Sequence, residues 1–190
     1  NKGSPILHNF KIDTTQNMNP LTNNFAFKNE EKSLNTPECS QTESELSKLL
    51  NMPSCIHLGL EKLKSFEVIE HQFQNWGVTF FNAMIIEPSN PAFAVPQGIK
   101  VLMGAPRNGL IEMNFTRPAN FVSGFIRSSR RTILSAYNQH EELLARDEML
   151  TSNLIYSDSI ITPDVKLTVN AENIYNCLLY TSPSPRDVVP

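Results

Sequence analysis

The feature that most constrains this chain is a series of short runs in which apolar and polar residues alternate. Turn residues close each run at roughly ten-residue intervals. Ile111, Met113 and Phe115 alternate with Glu112 and Asn114; Ile99, Val101 and Met103 alternate with Lys100 and Leu102; Val165, Leu167 and Val169 alternate with Lys166 and Thr168. Val78 to Ile86 is a longer β-branched and aromatic run, and 121–127 and 132–137 read as two strands joined by a tight turn at Ser129-Arg130. Between the runs sit Pro88-Ser89-Asn90-Pro91, Pro96-Gln97-Gly98, Pro106-Arg107-Asn108-Gly109, Arg117-Pro118-Ala119-Asn120 and Thr162-Pro163-Asp164, all turn chemistry. A period of two places one row of side chains against an opposing sheet and the other in water. The pattern therefore predicts an all-β, two-layer antiparallel β-sandwich. One segment is ambiguous: His140 to Leu150 contains good helix formers. We read it as a hairpin, with Asn138–Glu141 turning into a strand over Glu142–Asp147.

Residues 1–55 differ in character. They are rich in Asn, Ser and Thr and sustain neither a period of two nor one of 3.6. Such a segment buries too little apolar surface to offset its ordering entropy. We expect a poorly ordered leader, with one short helix near 43–50 capped by Thr42 and Glu45. An alternative reading takes Met52 as the real start codon, which would make everything upstream non-coding.

The 190 residues carry a formal net charge of -3. A mildly acidic chain without a basic patch argues against nucleic acid as a partner, and no apolar run is long enough to read as a membrane-spanning helix. His8, His57, His71 and His140 are scattered, without metal-ligand spacing. No nucleophile elbow, phosphate loop or dinucleotide fingerprint is present. The nearest carboxylate pairs, Glu67/Glu70, Glu141/Glu142 and Asp147/Glu148, sit where adjacent acids point apart or into solvent. We therefore assign no catalytic and no metal residues, and expect no cofactor. Ser157, Asp158, Ser159 and Asp164 are the oxygen donors a structural calcium ion would use. Cys39 and Cys55 are read as ordinary thiols rather than a disulfide, because no framework of four or six cysteines supports a bridge.

Glu61-Lys62-Leu63, then Gln72-Phe73-Gln74-Asn75-Trp76-Gly77-Val78-Thr79-Phe80, Gly124-Phe125-Ile126, Leu134-Ser135-Ala136-Tyr137 and Leu143-Leu144-Ala145 follow one another in an order that resembles a bacterial, often cyanobacterial, jelly-roll domain similar to galactose-binding domains. Leu60 stands where that family often has an aromatic residue. The resemblance covers 56–175 and implies a sandwich in an exported or cell-surface protein. The family's closing acidic strand has no counterpart here, so no ligand role resting on it carries over. A second resemblance concerns the end of the chain. Under one choice of codons, Cys177 to Asp187 is similar, base for base, to the adapter of a fragmented DNA library, with Val188–Pro190 as barcode. On that reading, native sequence stops near Asn176, and the frame, which opens on Asn1 rather than Met, comes from a metagenomic contig cut at both ends.

Sugar-binding surfaces stack rings on aromatic side chains and fix hydroxyls with polar ones. Four residues are the ligand-binding candidates: Trp76 before a strand, Arg130 and Arg131 on the predicted hairpin turn, and Tyr137, which alternation places on one face with Ile133 and Ser135. The expected role is a non-enzymatic binding or adhesive accessory domain with carbohydrate as partner. The alternatives are a purely structural domain of a larger protein and the remnant of a hydrolase.

Overall fold

A computed structural model describes residues 4–14, 55–90, 92, 98–105, 109–154 and 165–181. Among them are ten strands: β1 (Ile6–Thr14), β2 (Cys55–His57), β3 (Val68–Ile69), β4 (Val78–Phe81), β5 (Ala83–Ile86), β6 (Val101–Gly104), β7 (Ile111–Arg127), β8 (Thr132–Tyr137), β9 (Leu143–Met149) and β10 (Val165–Thr181). A short 3-10 turn, Gln74–Trp76, precedes β4. All pairings are antiparallel, in the order β3-β5-β6-β1-β7-β10-β8-β9, with β2 on β1 and β4 on β7. The chain is all-β.

The single sheet becomes two layers because its longest strands bend. β7 pairs with β4 through Glu112–Phe115 and with β1 through Ala119–Arg127, so it changes edge partner midway. β10 slips register against β7 between Asn170 and Asn176. One layer thus holds β3, β5, β6, β1, β2 and the far halves of β7 and β10; the other holds β4, β8, β9 and the near halves. Ile12, Val122, Ile126, Leu167 and Val169 from the first layer meet Val78, Phe80, Met113, Leu134 and Leu179 from the second in one core. Phe10 and Phe80 cross between them edge-on, with ring centroids 6.3 Å apart. Asp147, on the inward face of β9, accepts a hydrogen bond from the Thr168 backbone N–H across the gap, at 2.8 Å. That bond satisfies a donor which β7 leaves unpaired, closing part of an open edge.

The hairpin reading of 138–147 holds: β9 pairs with β8 from Thr132↔Met149 to Tyr137↔Leu143. Asn138 Oδ1 accepts from the backbone N–H groups of His140 and Glu142, fixing the turn. Three expectations are corrected. The first is the leader without order, because Ile6–Thr14 forms a central strand between β7 and the β2/β6 edge. A bulge at Asn9, where φ is +49°, explains why no alternation is visible. It resets the parity, so that Leu7, Phe10 and Ile12 all face the core at a spacing no regular strand produces.

The second correction concerns 117–120, which are not a turn. Pro118 has no N–H to donate, and it lies where β7 leaves β4 and has not yet joined β1, so no ladder bond is lost. The run 78–86 is likewise two strands, split at Asn82 (φ +61°). The third concerns Cys55, which is disulfide-bonded rather than a free thiol. Cys177–Thr181, placed by sequence in the adapter-like tail, continue β10 between β7 and β8. Their alternation suits the slot: Cys177 and Leu179 turn inward and are fully buried. The helix expected near 43–50 lies outside the described residues.

Close approach rather than turn geometry demands two glycines. A Cβ on Gly124 would sit 2.2 Å from Leu7 Cδ1 and 3.3 Å from Phe10 Cδ2, opposite the β1 bulge. One on Gly104 would sit 2.7 Å from the backbone carbonyl of Gly109. Backbone cannot yield as a side-chain tip can, so Gly104→Ala should cost about 1–3 kcal/mol. Urea denaturation measures it, and an unchanged midpoint would contradict the packing described.

Candidate functional site

The outward face of the second layer carries polar side chains aligned by the register of four strands. Register sets its rows. Thr79, Asn114, Asn176 and Tyr137 pair across β4, β7, β10 and β8. The adjacent row runs Phe81, Glu112, Leu178, Ser135 and Arg146. Directly paired residues share a face of a sheet, so these side chains stand side by side.

Three of them form a network. Asn176 Nδ2 donates to Glu112 Oε1 and to Asn114 Oδ1, each at 2.8 Å, and Asn114 Nδ2 donates to Glu112 Oε1 at 3.3 Å. All three are half-buried. Among the described residues, Glu112 Oε2 and Asn176 Oδ1 accept no hydrogen bond, and Asn114 Nδ2 keeps a second proton to donate. Mutual bonding fixes the side chains while free acceptors and a free donor face outward. Phe81, 61% exposed, stands at one corner of this array and Tyr137 at the opposite one.

The four residues singled out by sequence do not converge. Trp76 lies in the 3-10 turn just before β4 and is 48% exposed. Gly77 carries the chain from it into β4 with φ at +79°, and the Gly77 carbonyl accepts the Thr116 N–H at 2.9 Å. Trp76 and Tyr137 therefore share one end of the layer, three strand spacings apart and offset by three residues along the strand, about 17 Å in all. Arg130 and Arg131 immediately precede β8, about 20 Å or more along the strand direction from Tyr137. Arg131 spends its guanidinium on Glu148, with Nε and Nη2 both donating to Oε2, the former at 2.8 Å. Arg146 lies 3.7 Å from the same carboxylate. Tyr137 does share a face with Ile133 and Ser135, as alternation indicated, and both of those are buried.

Elsewhere, polar groups hold the fold. Asn153 clamps the end of β7: its Oδ1 accepts from Ser128 N, its Nδ2 donates to Ile126 O, and its carbonyl accepts from Arg127 Nη1. Burial pushes the Cys177 thiol well above its ordinary range, which leaves it inert as a nucleophile. Desolvation raises the Asp13 carboxyl against the opposing pull of Lys11 and His57. Glu67 is lowered, chiefly by the Lys64 backbone N–H. Among the described residues, no group of three or more His, Cys, Asp or Glu is placed to hold a metal ion, and no helix is long and apolar enough to cross a membrane. Ser157, Asp158, Ser159 and Asp164 lie outside the described residues.

The sequence reading missed Glu112, Asn114 and Asn176. Alternation marked the first two as outward-facing, but only the register of β10 brings Asn176 to them. Comparison with protein-family models, curated proteins and solved structures gave no match.

Replacing Asn153 by Ala should cost about 1–3 kcal/mol, because it orphans buried backbone groups. Arg131→Ala should stay within about 1 kcal/mol, since the Arg131 side chain is 41% exposed and that of Glu148 33%. Urea denaturation distinguishes the two, and equal losses would contradict these roles.

Proposed function

We propose that this domain is a non-enzymatic carbohydrate-binding module whose ligand lies on the outward face of β4, β7, β10 and β8. The observation that carries the reading is the Glu112–Asn114–Asn176 network, with its free acceptors and donor held in place. Sugar hydroxyls both donate and accept, so they complement such an array at little ordering cost. Phe81 and Tyr137 add apolar ring faces at two corners, and Trp76 adds a third aromatic at the Tyr137 end of the layer. The resemblance to galactose-binding jelly rolls points to the same ligand class. A disulfide at Cys55 suits the oxidising exterior where such modules act.

The reading reassigns the sequence candidates. Tyr137 and Trp76 belong to or border the surface; Arg130 and Arg131 stand at the far end of β8 and take no part. A glycan array probed with the whole chain tests it. Tyr137→Ala and Asn114→Ala should each weaken the strongest signal by about tenfold, and Arg130→Ala should leave it unchanged. Absence of binding to every glycan would favour the purely structural domain, and loss on Arg130→Ala alone would move the site to the other end of the layer.

A further inference from the structure

The dimensions and charge of this face specify the ligand further. Phe81 and Tyr137 stand on β4 and β8, three strand spacings apart and offset by two residues along the strands. Their separation is therefore about 16 Å along a diagonal, roughly three pyranose units laid end to end. Glu112, Asn114 and Asn176 lie between these two aromatic side chains. A monosaccharide would reach one ring or the network, but not both.

Charge narrows the class. Arg131 is hydrogen-bonded to Glu148, and Arg146 on β9 lies 3.7 Å from the same carboxylate, so these two guanidinium groups are drawn toward Glu148, beyond β8 from the network. The network contributes Glu112, an acceptor with a negative charge and no cation among its hydrogen-bond partners. A sugar carboxylate or sulfate placed beside it would meet repulsion. Uncharged hydroxyls avoid that cost.

We infer that the Phe81–Tyr137 diagonal binds a linear, uncharged polysaccharide chain, with one sugar stacked on each ring and the intervening hydroxyls held by Glu112, Asn114 and Asn176. This rests on the carbohydrate reading above. Both rings belong to the mechanism: each anchors one end of the bound stretch, and the network sets its register.

The test is calorimetric titration of the full chain with β-1,4-linked gluco-, xylo- and manno-oligosaccharides of two to six units, and with oligogalacturonates of the same lengths. At least one neutral series should gain about tenfold or more in affinity between two and four units and then level off. Oligogalacturonates should bind more weakly at every length. Phe81→Ala and Tyr137→Ala should each reduce tetrasaccharide affinity to that of the disaccharide, with far-ultraviolet circular dichroism unchanged. Equal affinity for disaccharide and tetrasaccharide, or a preference for oligogalacturonate, would overturn the linear neutral chain while leaving sugar binding in place. Failure to bind these probes together with strong binding of a branched glycan would do the same. No binding to any glycan would overturn both readings.

Discussion

The architecture depends on a constraint of backbone geometry: one antiparallel sheet must fold over itself, and it does so where residues accept a left-handed or donor-free conformation. Asn82 (φ +61°) is the single residue between β4 in one layer and β5 in the other. Its side chain donates to the Leu110 carbonyl at 2.6 Å, and its own carbonyl accepts the Ala105 N–H at 2.9 Å, tying the corner to the loop beside it. Asn173 (φ +61°) lies within the register slip of β10, and Pro118 occupies the interval in which β7 changes partner. Asparagine tolerates the left-handed region better than other residues with a Cβ, and proline is tolerated where no ladder donor is needed.

Those bends generate both the core and the outward polar face. Because β7 and β10 turn together, their near halves lie beside β4 and β8, while their far halves lie beside β1 and each other. The inward rows of both halves then meet, with Phe10 against Phe80 and Asp147 reaching Thr168. The outward rows are what remain, one with Asn114, Asn176 and Tyr137 in register and the next with Glu112. A sheet that stayed flat would have the same pairs but no opposing layer to bury Met113, Leu134 and Leu179.

What was legible in sequence followed from local alternation. Ile111–Phe115, Thr132–Tyr137 and Val165–Val169 are strands because each shows a period of two bounded by turn chemistry. The 138–147 hairpin was recoverable because Asn138 and the turn after it outweighed the helix propensity of Glu142 to Leu150. β1 was illegible because a bulge at Asn9 destroys the period that identifies a strand. Pro118 misled because its usual meaning is a turn, and only the pairing of β7 shows why none forms. Parity along β8 correctly placed Tyr137 on one face with Ile133 and Ser135. The network was not legible, since Asn176 joins Glu112 and Asn114 from more than sixty residues away, and single-strand patterns carry no register between strands.

The folded-sheet account is tested most directly by comparing glycine and valine at the two asparagine bends. Asn82→Gly and Asn82→Val lose the same side-chain hydrogen bond, so their difference reports the backbone alone, and Asn173→Gly against Asn173→Val repeats the comparison in β10. Urea denaturation should find each valine variant less stable than its glycine partner by about 1–2 kcal/mol, the cost of a left-handed conformation for a residue with a Cβ. Valine variants as stable as their glycine partners would mean that neither position takes the left-handed backbone, and the folded sheet would have no corner to turn on.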